Sequence, residues 1–146
     1  MGTKVGDVMT TRPRAVTPQT PLSEVAELME TDDVGAVPIV ESDRLVGIVT
    51  DRDIVIRAIA KGKDPRGMPA AEASSRELVT VSPDDDLSDA LKLMAEYQVR
   101  RLAVTGEDER LLGVISQADV AQHAKEKQTG ELVESISREP QGPRTS

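Results

Sequence analysis

"VTPQTPLSEVAELMETDDV", residues 16–34, and "VSPDDDLSDALKLMAEYQV", residues 81–99, are one pattern written twice. Displacing the chain on itself by 65 positions matches Val16, Pro18, Leu22, Ser23, Leu28, Met29 and Val34 with Val81, Pro83, Leu87, Ser88, Leu93, Met94 and Val99. One inserted residue later, "LVGIVTDRDI" (45–54) matches "LLGVISQADV" (111–120) at an offset of 66. Repetition at such a period marks two copies of one supersecondary unit.

Each copy reads the same way. A short extended piece ends at Thr17-Pro18 or Ser82-Pro83. A helix then begins, signalled by Thr20 and Pro21 in the first copy and by Asp86 in the second. Its buried stripe is Leu22, Val25, Ala26, Leu28 and Met29, or Leu87, Ala90, Leu91, Leu93 and Met94, at helical spacing. Two strands follow, "AVPIV" and "RLVGIVT" or "RLAVT" and "RLLGVIS", joined by the polar turns "ESD" and "GEDE". A second helix opens at Asp51 or Gln117. The order is β-α-β-β-α in each copy, an α/β fold. So small a sheet cannot bury both faces alone, so the copies are expected to pack sheet to sheet about a pseudo-two-fold axis. Residues 5–60 form the first copy and 70–125 the second, within one globular module. "KGKDPRGMP" (61–69) has the composition of a linker. The polar tail, 126–146, is expected to be partly disordered at "REPQGPRTS", with a short helix around "ELVESI".

Composition narrows the function. The 146 residues are enough to bury a real core, and 38% are hydrophobic. With one Tyr (Tyr97) and no Phe or Trp, that core is aliphatic and lacks the stacking platforms of single-strand nucleic-acid binders. A net charge of −8 argues against coating nucleic acid. The absence of Cys excludes disulfides, thiolate metal sites and Cys nucleophiles, and fits a cytoplasmic location. The start, "MGTKVGDVMTTRPRAV", has no apolar core of a signal peptide, and no apolar run reaches the roughly 20 residues needed to span a bilayer. The lone His123 sits among polar residues and is expected to be exposed rather than a metal ligand. Asp84, Asp85 and Asp86 suit a helix start, where acids are favoured. No nucleophile has a paired base and no zinc ligand set is present, so an enzyme is not expected.

The strand-to-helix junctions carry the candidate chemistry. Thr50 precedes Asp53 by three residues, and Ser116 precedes Asp119 by the same spacing. A hydroxyl with an acid three positions on approximates a capping box. A helix N-terminus is equally a ready phosphate site, because its first amides lack partners. The spacing alone leaves both readings open.

The repeat as a whole resembles the CBS motif, and residues 5–125 look like a tandem CBS pair, or Bateman module. "VGDVMT", "VGAVPIV" and "LVGIVTDRDI" carry the resemblance in the first copy. The second departs from it at its opening, where "AAEASS" replaces "VGDVMT", and at Ala103, which stands where Pro38 does. The resemblance implies a non-catalytic regulatory module that binds an adenosine-containing ligand (AMP, ADP, ATP or S-adenosylmethionine) in clefts between the motifs. It would need no cofactor. By resemblance, Asp53 would hold ribose hydroxyls with Thr50 beside it, while Gly35, Ala36 and Pro38 would shape the wall. Ser116 and Asp119 would do the same in the second site. Arg100 and Arg101 fall where phosphate-contacting residues occur in such proteins. The first copy has Gly35 and Ala36 there, so a phosphate in its site would need Arg12, Arg14 or Arg52. The resemblance also implies a homodimer, with output through it or through a further protein partner. The alternative is a ligand-free scaffold with degenerate sites.

Overall fold

The computed structural model describes the backbone of residues 2–75 and 78–138, and the side chains of 2–75 and 78–128. The helical stripes turn inward as their spacing dictates except at Ala26 and Leu91, whose places on the stripe's edge leave them exposed. On α2 (Leu22–Asp32) Leu22, Val25 and Met29 are buried; on α5 (Leu87–Tyr97) Ala90 and Met94 are. Both helices stop at a residue in the left-handed conformation, Asp33 and Gln98. The chain then turns back, with the amides of Val34 and Val99 donating to the carbonyls of Met29 and Met94. The strands follow: β2 (Ala36–Glu41) with β3 (Arg44–Thr50), and β5 (Arg101–Thr105) with β6 (Leu111–Ser116), both antiparallel. Ser42 and Asp43 both have positive φ, the two-residue turn whose twist suits a hairpin. A register shift falls at the same relative place in each pair, between Ile39 and Val40 and between Val104 and Thr105.

The repeats trade their opening segments. Val5 of α1 (Val5–Val8) is fully buried in the second repeat's core, with Val81, Met94, Leu102, Val104 and Ile115. Just after it, β1 (Thr10–Thr11) pairs antiparallel with β6, Thr10 opposite Val114. Reciprocally, Ala70 and Ala73 of α4 (Ala70–Ala73) are fully buried in the first repeat's core, with Leu22, Val25, Val37 and Val49. Ser75 bridges Ile48 of β3. One sheet therefore has the order β1-β6-β5-β4, in which β4 (Thr80–Val81) runs parallel to β5. The other repeats that order as Ser75, β3, β2 and Val16, the last bridging Ile39 in parallel. Arg44 and Arg110 are equivalent positions and bridge each other, so the pseudo-two-fold axis passes through their contact. The chain thus adopts the expected α/β architecture of two repeats about such an axis.

Both helices begin where the sequence places them, but their first amides are not satisfied by capping side chains. Neither Pro21 nor Asp86 caps its helix with a side chain. The first amides go to segments distant along the chain: Leu22 N–H donates to Met68 O of the linker at 2.9 Å, and Leu87 N–H to Thr3 O, just ahead of the first repeat, at 2.8 Å. Thr20 instead accepts from the Thr17 amide, Asp85 from the Ser82 amide, and Asp86 pairs with Lys4 at 2.9 Å.

The second helices differ. In the first repeat α3 (Asp51–Asp53) runs on as a π-helix over Ile54–Ile59. In the second, α6 (Gln117–Arg138) is one continuous helix that carries "ELVESI" along with it rather than as a separate short piece. The tail from 139 onward lies outside the described residues.

Candidate functional site

Each junction is a strand end held over a helix start. Thr50 Oγ accepts the Asp53 amide at 3.0 Å, and Asp53 Oδ2 accepts the Thr50 amide at 2.9 Å. In the second repeat Ser116 Oγ accepts the Asp119 amide at 3.0 Å, and Asp119 Oδ2 the Ser116 amide at 3.1 Å. Both are reciprocal capping boxes, which the i,i+3 spacing produces at a helix start. The boxes do not exhaust these groups. Each hydroxyl is used as an acceptor and keeps its proton to donate. Asp53 Oδ1 forms an ion pair with Arg57 Nε at 3.7 Å, beyond hydrogen-bond length, and so can still accept a hydrogen bond. A hydroxyl donor beside a carboxylate acceptor matches a ligand edge that carries both hydroxyl and anionic oxygens.

The strand that follows α2 or α5 is tied to the junction at the same point. The Asp51 amide donates to Gly35 O, and the Gln117 amide to Arg100 O, both at 2.9 Å. Gly35 and Arg100 are therefore equivalent neighbours of the two boxes. Ala36 lies opposite Thr50, and Pro38 opposite Ile48, on the hairpin partner. In the second repeat Arg101 lies opposite Ser116 and Ala103 opposite Val114. Pro38 has no amide to give, and the first repeat's parallel pairing is a single bridge at Val16. Where Ala103 replaces it, the pairing extends to two residues.

The two adjacent arginines part company. Arg100 is exposed, whereas Arg101 is half-buried and reaches into the first repeat. A Cβ built on Gly35 would lie 3.4 Å from Arg101 Nη1 and 3.2 Å from Asp51 Oδ2. The guanidinium sits beside Gly35, with the Asp51 carboxylate closer still. The second repeat thus sets a further cation beside the first junction. Arg14 is drawn aside into a pair with Asp32 at 3.3 Å, and Arg12 and Arg52 are exposed.

Two neighbours escaped the sequence reading. Thr10, at the end of the exchanged opening segment, donates its hydroxyl to the Asp119 carboxylate at 3.3–3.4 Å. Arg57 stands over Asp53 and donates to Ser74 O at 3.4 Å. The offset of 65 aligns Thr10 with Ser75, so a hydroxyl closes both opening segments; that was the available signal.

The described residues contain no group of three or more His, Cys, Asp or Glu side chains placed to hold a metal. No helix among them is long and apolar enough to cross a membrane. The family model for the CBS domain matches this chain twice, over residues 5–59 and 70–126. The chain belongs to the CBS family. Among CBS relatives, the CBS domain-containing protein YhcV of Bacillus subtilis is 42% identical over 117 residues, covering 80% of this chain and 82% of that one. A crystal structure of Hypoxic Response Protein I with two coordinated zinc ions superposes with a TM-score of 0.77 at 38% identity, covering 83% of this chain and 98% of that one. The CBS-pair protein CBSX2, crystallised with AMP, gives a TM-score of 0.77 at 27% identity, covering 87% and 99%.

Proposed function

We propose that this chain is a non-catalytic, cytoplasmic regulatory module that binds an adenosine-containing ligand at its strand-to-helix junctions. AMP, ADP, ATP and S-adenosylmethionine all present the same ribose. Asp53 takes the ribose hydroxyls through its Oδ1, Thr50 donates to the neighbouring oxygen, and Gly35, Ala36 and Pro38 form the backbone wall. Arg101 faces the phosphate of that first site. Arg suits the task because its planar fork donates two parallel bonds. The carrying observation is the half-buried guanidinium from one repeat standing over the glycine of the other. AMP on the related CBSX2 supports the ligand class. Ser116, Asp119 and Arg100 make a second, unequal site. There Thr10 already occupies the carboxylate, which favours a site that stays empty while the first fills. The module works as a homodimer and passes its signal to a protein partner.

The test is a calorimetric and thermal-shift panel on nucleotide-free protein. AMP at 100 times its Kd should add about 2.7 kcal/mol, a rise of roughly 5–10 °C at this length. Asp53→Ala should lose about 0.5–2 kcal/mol of stability as a cap, yet lose AMP affinity by about tenfold or more, some 1.4 kcal/mol. Arg101→Ala should weaken AMP and leave adenosine unchanged. No shift with any adenosine compound would overturn the reading in favour of a ligand-free scaffold.

A further inference from the structure

The first junction holds two opposite charges side by side, and its counterpart does not. Beyond the adjoining residues, the three atoms nearest the place of a Cβ on Gly35 are Asp51 Oδ2 at 3.2 Å, Arg101 Nη1 at 3.4 Å and Asp51 Cγ at 3.5 Å. Asp51 is turned this way by its other oxygen, since Oδ1 accepts the Arg52 amide at 2.8 Å. Among the described residues, neither Asp51 Oδ2 nor the Arg101 guanidinium has a hydrogen-bond or ion-pair partner. The two charges flank one spot without closing on each other. In the second repeat Gln117 stands in the place of Asp51, and Arg100 in that of Gly35. The carboxylate therefore belongs to the first junction alone.

A guanidinium by itself attracts a nucleotide more strongly the more phosphates it carries. One phosphate already satisfies the planar fork. The carboxylate beside it then opposes every further anionic charge, and the chain's net charge of −8 has the same sign. Two other arginines of the first repeat are engaged, Arg14 with Asp32 and Arg57 with Asp53.

We infer that Asp51 is a specificity-determining residue that holds the first site to an adenosine ligand with a single phosphate. It acts by repelling the wrong ligands rather than by gripping the right one. This assignment rests on the adenosine-ligand reading above and names the ligand's charge.

The test is calorimetric titration of nucleotide-free, full-length protein with AMP, ADP and ATP, with chelator present so that no divalent cation masks the phosphates. Affinity should fall from AMP to ADP to ATP, and the spread should shrink as salt rises. Asp51→Asn keeps the oxygen that accepts the Arg52 amide and removes the charge. It should raise ATP affinity by about fivefold or more and AMP affinity by less. An acid that serves only the helix start would move the melting temperature and leave the ratio of the two affinities alone. That outcome overturns the role of Asp51, as does a parent protein that binds ATP as tightly as AMP, and either leaves the adenosine reading standing. Binding of none of the three nucleotides or of adenosine would overturn both.

Discussion

Gly47 and Gly113 hold the same place in the two repeats, and their surroundings measure how differently the halves are closed. A Cβ on Gly47 would come 3.1 Å from Ser74 Oγ and 3.5 Å from Ile39 Cδ1, both ends of side chains that can give way. On Gly113 it would come 2.6 Å from the Thr10 carbonyl oxygen and 2.9 Å from Met9 Sδ. The first repeat receives a small, yielding opening segment built on Ala70 and Ala73. The second receives Val5, Met9 and a paired β1, pressed close enough that no side chain fits beneath. Equal topology here goes with unequal tightness.

The largest expected effect probes the exchange itself. Val5→Asp should cost about 3 kcal/mol or more, because it sets a carboxylate in an apolar core. In hydrogen exchange the loss of protection should fall on β5 and β6 rather than on β2 and β3, although Val5 belongs to the first repeat by sequence. Protection lost from β2 and β3 first would break the comparison. Next in size, Gly113→Ala should lower stability by about 1–3 kcal/mol through overpacking against backbone, and Gly47→Ala by less than about 1 kcal/mol. Chemical denaturation of the pair orders them, and equal losses would mean that the two edges are equally tight. The smallest effect concerns the exposed tether Lys4–Asp86. The hydrogen bond and charge of Asp86 raise the Lys4 pKa above its ordinary 10.5. A raised lysine stabilises the fold below its ordinary value and loses that contribution as pH climbs through the raised one. Lys4→Met should therefore lower the melting temperature slightly at neutral pH, with screening keeping the shift small. The difference from the parent should disappear in strong alkali.

What the sequence disclosed was whatever is local. The stripes of α2 and α5, the hairpin turns and the hydroxyl-x-x-Asp boxes are set by residues within four positions of one another, and they formed where their spacing put them except at Ala26 and Leu91, which face solvent. The exchange was hidden because edge pairing leaves no periodic mark: β1 is two exposed residues whose partner lies at Val114. "AAEASS" looked like a decayed copy of "VGDVMT" because its residues differ. Its task in the first core is to be small at Ala70 and Ala73, and it does that fully. Arg101 was placed by resemblance at a phosphate-contacting position of the second repeat. The fold instead brings its guanidinium beside Gly35 of the first repeat, a neighbour far away in sequence.

The exchanged openings also set the order in which the chain can be finished. Thr10 is synthesised long before its strand partner Val114, so β1 has nothing to pair with until β6 has emerged. The first repeat likewise waits for Ala70, Ala73 and Ser75 before its core closes. Contacts between such distant residues slow folding, since a long loop must be ordered before any of them forms. Neither repeat made alone would hold all of its own core. A segment made ahead of both cores is one of the last to find its place.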